Sequence, residues 1–148
     1  MHRLNRIALA ATAALVHVAA LAQASPAGLW KTIDDDGKTE KSLVRIVEGS
    51  GVLTGRIEKV LDPASKPDAV CDKCTDERKD QPIVGLTILR NLKRADGEWW
   101  EGGDVVDPKN GKTYKARVRT TDEGRKLEMR GYVGMPMLGR TQTWIRVE

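Results

Sequence analysis

Residues 112–120, KTYKARVRT, and residues 125–133, RKLEMRGYV, decide the fold of this chain. In both stretches apolar or small residues occupy every second position, as Ala116 and Val118 do in the first. Such alternation is typical of a strand that has one face in a core and the other in solvent. The intervening residues 122–124, DEG, favour a turn, so the two stretches are predicted to form an antiparallel hairpin.

The same alternation recurs along the chain, separated by polar turns that contain glycine, and no long segment has an apolar stripe of helical spacing. The predicted strands cover residues 28–33, 42–48, 51–60, 83–92, 97–101, 103–107, 112–120, 125–133 and 141–147. A meander of this kind must protect its edge strands, and closure into a barrel does so. We therefore predict an all-β fold, an antiparallel up-and-down β-barrel of about eight or nine strands.

One connection is longer than the rest. Residues 61–82 are charged and contain three prolines. Loops of this length are usually functional or mobile. Within this loop, residues 65–76 are compatible with a short turn of helix. At another connection, Asn110-Gly111 favours a tight hairpin turn, because both residue types tolerate positive φ.

The N-terminus has the pattern of a secretory signal peptide. A basic start, residues 1–6, precedes the apolar run 7–22 and the small-x-small site Ala22-Gln23-Ala24. The run is shorter than the roughly 20 residues of a membrane-spanning helix, and no later run is longer. We predict a signal peptide at residues 1–24, a single domain at residues 25–148, and an exported protein, periplasmic or secreted.

Histidine is confined to the predicted leader, at His2 and His17. After cleavage the chain would have no imidazole, which excludes Ser-His-Asp and Cys-His catalysis and a His-ligated zinc site. Removal of Arg3 and Arg6 also lowers the formal net charge from +4 to about +2. The sequence therefore predicts a protein without a catalytic constellation, cofactor or metal, and a His-free enzyme is the least favoured function.

The two cysteines, Cys71 and Cys74, lie in the long loop. In an exported protein so close a pair favours a disulfide that clips the loop. A labile, redox-active disulfide is a second interpretation. A metal site is a third, in which carboxylates such as Asp72 and Asp76 would complete the coordination shell.

The tryptophans point to structural roles. Trp99 and Trp100 are adjacent on a predicted strand, so their rings should lie on opposite faces, one of them in the core. Trp30 and Trp144 lie near the two ends of the mature chain, and the first and last strands of a closed meander are neighbours. The predicted barrel-closing residues are Trp30, Arg140, Trp144 and Arg146, with an arginine stacked on Trp30.

Residues 133–139, VGMPMLG, form an apolar turn without charge. It could be a hydrophobic flap at the mouth of a pocket, since methionine adapts to varied ligands. It could equally plug the barrel end as core.

A basic stripe runs along one predicted hairpin and comprises Lys109, Lys112, Lys115, Arg117 and Arg119. We interpret it as a solvated exterior that blocks edge pairing. Contact with an anionic surface, such as lipid head groups or cell-wall polymer, is the alternative. Nucleic-acid binding is not favoured.

Several stretches together resemble one family. They are Gly28–Thr32, Lys41–Ile46, Leu53–Ile57, the Cys71/Cys74 loop, Gln81–Leu86, Gly102–Pro108, Asn110–Tyr114, Leu127–Tyr132 and Gly139–Trp144. The mature chain resembles the exported bacterial family called domain of unknown function 2147. The resemblance implies a lipocalin-like, calycin-type β-barrel and no established activity. Gly28-x-Trp30 also resembles the opening motif of lipocalins, whose usual arginine partner would be Arg140 or Arg146.

We hypothesise that the protein binds a small hydrophobic or amphipathic ligand inside the barrel, enclosed by apolar side chains. The predicted ligand-binding residues are Trp99, Trp100, Tyr114, Tyr132, Met135 and Met137. The alternative is a cell-envelope interaction module without a ligand cavity, acting through the Cys71–Cys74 loop and the basic hairpin. The partners expected are thus an apolar or amphipathic ligand and, in the alternative, envelope components.

Overall fold

Eight antiparallel strands form a closed barrel in a computed structural model, which describes residues 24–148. Each strand pairs with the next along the chain, and the last returns to the first. The strands are β1 Gly28–Ile33, β2 Glu40–Gly49, β3 Val52–Val60, β4 Thr87–Arg94, β5 Trp100–Val106, β6 Thr113–Thr121, β7 Lys126–Tyr132 and β8 Arg140–Arg146. The predicted all-β, up-and-down barrel is confirmed.

The decisive hairpin is β6 and β7, and its register explains the barrel wall. Ala116 pairs with Gly131 and Val118 with Met129, so the small and apolar members of both strands share the inner face. Ala116 and Val118 are buried there. The alternating basic residues of β6 consequently lie on the outer face.

The separate strands predicted at residues 97–101 and 103–107 are a single strand, β5. Its pairing with β6 is irregular between Trp100 and Gly103, and Gly102 has φ +82°. A β-bulge bends a strand without ending it. The glycines at this bulge therefore gave the sequence the pattern of a turn between two strands.

Three local predictions were wrong. β4 begins at Thr87 rather than at residue 83, because Gly85 with φ +93° interrupts the extended backbone. Residues 65–76 form turns and no helix. Asn110-Gly111 lies within a longer connection, residues 107–112, and does not form the predicted tight hairpin turn, because only Gly111 has positive φ.

The alternation of strand direction collects the connections at two ends. Residues 34–39, 61–86, 107–112 and 133–139 lie at the end that we call the open end. Residues 50–51, 95–99 and 122–125 lie at the opposite, closed end, together with residues 24–27, which precede β1. The long connection at residues 61–86 therefore belongs to the open end.

The closed end is held by Trp30 and Arg146. Trp30 is fully buried, and its indole Nε1 donates a hydrogen bond to the carbonyl of Pro26 at 2.8 Å. The Arg146 guanidinium lies 4.2 Å from the centroid of the Trp30 ring. Its nitrogens donate to the carbonyls of Ala27 at 3.0 Å and Ser25 at 2.7 Å. Burial of this guanidinium lowers the pKa of Arg146 from its ordinary value.

The predicted signal peptide falls almost wholly outside the described residues, which begin at Ala24. Between residues 24 and 148, no helix has the length and apolar character needed to cross a membrane.

We expect Arg146→Ala to lower the free energy of unfolding by about 2–4 kcal/mol, because stacking on Trp30 and charge-assisted hydrogen bonds are lost together. Urea denaturation followed by circular dichroism measures the effect. Arg125→Ala is the control, because this side chain is exposed and its loss should change stability by less than about 0.5 kcal/mol. Equal denaturation midpoints for the two variants would contradict this role of Arg146.

A candidate ligand cavity at the open end

A cavity of about 570 Å³ occupies the open end of the barrel. Its walls come from the inner faces of the strands, and its rim comes from the loops of the open end. The wall and rim residues are Thr32, Asp34, Asp35, Lys41, Ser42, Ile57, Val60, Asp62, Ala64, Ser65, Ile83, Ile88, Val105, Val106, Asp107, Pro108, Lys109, Tyr114, Met129, Gly131, Arg140, Gln142 and Trp144.

The wall is mainly apolar. Ile57, Ile88 and Val105 come from three neighbouring strands, and Met129 and Trp144 come from the other side of the barrel. Small residues create the space between these side chains. At Gly131 a Cβ would lie 3.6 Å from Tyr114 Cβ and Val105 Cγ1, an ordinary contact distance.

A few polar groups are set into this wall. Thr32 and Ser42 are both buried, and their hydroxyl oxygens lie 2.9 Å apart. On β8, the side-chain amide of Gln142 accepts a hydrogen bond from Trp144 Nε1 at 3.0 Å and donates one to Asp35 at 3.0 Å. Fixed polar groups in an apolar wall can orient a bound molecule.

The rim carries charges of both signs. Lys41 Nζ lies 2.5 Å from Asp62 and 3.9 Å from Asp34. The hydrogen bond between Lys41 and Asp62 raises the pKa of the ammonium and lowers that of the carboxyl. Across the rim, Arg140 forms an ion pair with Asp35 at 2.7 Å. A polar head group would thus meet both cations and anions at the mouth.

Of the six predicted ligand-binding residues, Tyr114 lines this cavity. Trp99 lies on the outer face, because its ring is 4.0 Å from the Arg117 guanidinium and 4.6 Å from that of Arg119. Met135 and Met137 are exposed and do not contribute to the lining. The apolar turn is therefore neither a plug of the barrel nor part of this wall.

Trp100 and Tyr132 are buried, but away from the cavity. Trp100 belongs to the closed end, where it lines a smaller cleft of about 300 Å³ beside Ala24 and Ser25. Tyr132 follows Gly131 on β7 and so faces the opposite side of that strand. A Cβ at Gly139 would lie 2.7 Å from Tyr132 Cβ, so the chain after the apolar turn passes against the base of this side chain.

The four residues predicted to close the barrel lie at different ends. Trp30 and Arg146 stack at the closed end, where they are paired in the β1–β8 ladder. Trp144 and Arg140 lie at the cavity, in its wall and rim respectively. Arg140 comes four residues after Pro136 on the apolar turn, so the rim and the turn are neighbours.

Cys71 and Cys74 form a disulfide, and both are buried. The loop packs against the β5–β6 connection so tightly that a Cβ at Gly111 would lie 1.8 Å from the Lys73 carbonyl. Gly111 also has φ +72°. The disulfide therefore closes a short turn within the long loop, and the backbone of that turn packs against the β5–β6 connection. The predicted disulfide is confirmed, which leaves no free thiolates for the metal site of the third interpretation.

A charged cluster docks the same loop on the outside of β4. Arg78 is buried and donates hydrogen bonds to Asp76, at 2.6 Å from Nη2, and to the carbonyl of Thr87 at 3.0 Å. Arg90 on β4 lies 3.6 Å from the same Asp76 carboxylate. The hydrogen bonds from Arg78 lower the pKa of Asp76 to about 2.

This architecture defines a lipocalin-like barrel. The solved structure of protein HP1028 from Helicobacter pylori, described as belonging to the lipocalin family, superposes with a TM-score of 0.69. The two chains share 22% identity over 82% of each, a likeness that establishes the fold. Residues 28–146 match the family described as an uncharacterized protein conserved in bacteria, DUF2147, and the chain belongs to that family. No curated protein sequence matches it.

The sequence-based prediction of ligand-binding residues did not include most of the residues that form the cavity wall. Thr32, Ser42 and Gln142 are polar, yet they occupy strand positions where the alternation predicts an apolar, inward-facing residue. A polar residue at such a position was the feature of the sequence that could have indicated the cavity. Within residues 24–148, no group of three or more Asp, Glu, Cys or His side chains is arranged to hold a metal ion.

We expect Cys71→Ala/Cys74→Ala to lower the free energy of unfolding by about 2 kcal/mol, the chain-entropy value for so short a ring. Urea denaturation of the variant and of the oxidised parent measures the difference. Because the disulfide is buried, a reductant should open it in the parent only once denaturant is present. Rapid reduction of the disulfide under native conditions would contradict a structural role and favour the labile interpretation.

The docking of the long loop should fail in acid. Protonation of Asp76 leaves the Arg78 guanidinium buried without its counter-ion. Since the folded pKa is about 2 and the ordinary value is 3.8, the stabilisation is complete above pH 3.8 and is lost as the pH falls through about 2. Carboxyl carbon NMR should give a titration midpoint near 2 for Asp76, and a midpoint at 3.8 would show that the pair does not form.

Proposed function

We propose that this protein binds a small hydrophobic or amphipathic molecule in the cavity at the open end. The cavity itself carries the proposal. Its volume of about 570 Å³ falls within the roughly 300–1,000 Å³ that is usual for small-molecule sites. An interaction module with a solid interior would not need this space, which counts against that alternative.

The distribution of polarity supports an amphipathic ligand. The wall formed by Ile57, Ile88 and Met129 would enclose the apolar part. Burial of apolar surface contributes roughly 25 cal/mol for each Å² removed from water. The polar part would remain at the rim, where Lys41 and Arg140 stand beside carboxylates.

The closed end supports a rigid site. The stacked pair of Trp30 and Arg146 seals the barrel on the side away from the cavity. A preformed cavity loses little conformational entropy when it is filled. The lipocalin-like fold adds an argument by analogy, because barrels of this size can hold one small ligand.

We further propose that the protein acts after export, in the periplasm or outside the cell. The leader pattern at residues 1–24 and the Cys71–Cys74 disulfide both support this location. Disulfides persist in oxidising compartments and are rare in the cytosol. N-terminal sequencing of the exported protein would test it, with Ser25 as the expected first residue.

Gly131→Leu should block the cavity without disturbing the barrel. The residue faces inward, its backbone is outside the left-handed region, and a side chain there would project toward Tyr114 and Val105. We expect at least about tenfold weaker binding of cis-parinaric acid, a fluorescent fatty acid, with unchanged thermal stability. Thr143→Leu, on the exposed face of β8, is the matched control and should bind like the parent.

The natural ligand can be sought by native mass spectrometry of protein purified from its own host. Trp144 provides a second readout, because it lies in the wall and its emission should change when a ligand enters. Trp144→Phe should remove most of that change. A protein that retains no molecule, and whose tryptophan emission is unaltered by a panel of fatty acids and lipids, would contradict the proposal.

A further inference from the structure

The apolar turn between β7 and β8 is exposed to an unusual degree. The exposed fractions are 69% for Val133, 56% for Met135, 73% for Met137 and 72% for Leu138. Four large apolar side chains thus face solvent within six residues, next to the mouth of an apolar cavity that they do not fill. A contiguous exposed apolar patch of this kind marks an interaction site.

The turn is held in this exposed position. Residues Pro136–Leu138 form a 3-10 turn, and Arg130 on β7 donates a hydrogen bond to the carbonyl of Pro136. At Gly139 a Cβ would lie 2.3 Å from the carbonyl oxygen of Gly131, so the chain after the turn is pressed against β7. The apolar side chains are therefore presented outward by a fixed backbone.

We define the cationic face as Lys115, Arg117 and Arg130 on the outer face of β6 and β7, together with Lys112 in the connection before β6. Lys115 is paired with Tyr132, and Arg117 stands directly opposite Arg130 in the β6–β7 register. Like charges directly opposite each other destabilise a sheet. Among the residues that the structure describes, each guanidinium has only uncharged partners. Arg117 stacks on the Trp99 ring at 4.0 Å, and Arg130 donates hydrogen bonds to the Pro136 carbonyl and the Thr141 hydroxyl. An anionic partner would relieve the repulsion between them.

The cationic face is not neutralised by the protein. Within residues 24–148, none of its four members forms an ion pair, whereas Arg119, the next outward residue of β6, pairs with Glu128 at 2.8 Å. The carboxylate nearest in register to Lys115 is Asp104, which is engaged by Arg90 at 3.1 Å. Lys112 and Lys115 are exposed, so their positive charge remains available to a ligand.

We propose that the apolar turn and the cationic face together dock the protein on an anionic lipid bilayer. An apolar group flanked by lysine and arginine is the combination that binds at a membrane interface, with the apolar side chains at the acyl boundary and the cations at the head groups. A purely polar partner would leave Met137 and Leu138 exposed, and an uncharged apolar partner would leave Arg117 and Arg130 without counter-charge.

This orientation places the cavity at the lipid. Arg140 lies in the rim of the cavity and follows the apolar turn along the chain. A barrel docked through the turn would therefore present its open end near the bilayer surface, from which an amphipathic molecule could enter. Docking itself does not depend on the proposed ligand binding, so the two can fail separately.

Sedimentation with unilamellar vesicles tests the docking. The parent protein should bind vesicles of phosphatidylethanolamine mixed with phosphatidylglycerol and should bind phosphatidylcholine vesicles weakly. Met135→Ser/Met137→Ser/Leu138→Ser should reduce the bound fraction at least about tenfold, because the apolar contact is lost. The control is Val47→Ser/Val147→Ser, since these side chains are 52% and 51% exposed and lie near the closed end.

The electrostatic contribution is tested separately. Lys112→Glu/Lys115→Glu should also reduce binding to the anionic vesicles at least about tenfold, and salt should weaken binding by the parent. Lys59→Glu/Lys93→Glu makes the same change of net charge at exposed positions on β3 and β4 and should leave binding unchanged. Equal losses in both pairs would show a net-charge effect and overturn the proposal.

Two further results would overturn it. The first is that the parent remains in the supernatant with anionic vesicles. Alternatively, size-exclusion chromatography with light scattering could show a dimer that the triple serine variant dissociates, which would assign the apolar turn to a second copy of this chain. In either case, binding of cis-parinaric acid by the same preparations would test separately whether the cavity binds a small ligand.

Discussion

The closure of β1 against β8 is the constraint on which the rest of the structure depends. That ladder comprises two residue pairs, Trp30 with Arg146 and Lys31 with Ile145. Backbone hydrogen bonds of Leu29 with Val147 and Glu148 extend it. So short a ladder needs support from side chains, and the stacking of Arg146 on Trp30 provides it. Without this closure, β1 and β8 would be exposed edges and no enclosed cavity would exist.

The two ends of the barrel are built differently as a consequence. At the closed end, Arg146 ties the segment before β1 to the last strand, and the rings of Trp30 and Trp100 are buried there. At the open end, Gly131 and the short Thr32 and Ser42 occupy inner positions, and the interior remains empty. The hydrogen bond from Arg78 to the Thr87 carbonyl and the ion pairs of Arg90 with Asp76 and Glu77 hold the long loop beside this opening.

Sequence reasoning was most accurate where one periodicity dominated. The β6–β7 hairpin was predicted because alternation and turn chemistry agreed, and tertiary packing did not contradict them. It failed at β5, because a bulge at Gly102 resembles a turn when only the sequence is read. The candidate site was predicted less well. Tyr114 was placed correctly in the barrel interior, whereas Met135, Met137 and Trp99 were chosen for their apolar character and lie outside the cavity.

The sequence by itself determined an all-β barrel, a disulfide in the long loop and membership of the DUF2147 family. These follow from local alternation, from the spacing of Cys71 and Cys74, and from matches spread along the chain. Only the tertiary structure decided that the barrel is hollow at one end and that the apolar turn faces solvent. Both depend on how side chains far apart in the sequence share space, since the volume at Gly131 on β7 is limited by Tyr114 on β6 and Val105 on β5. Such packing leaves no periodic signal in a single chain.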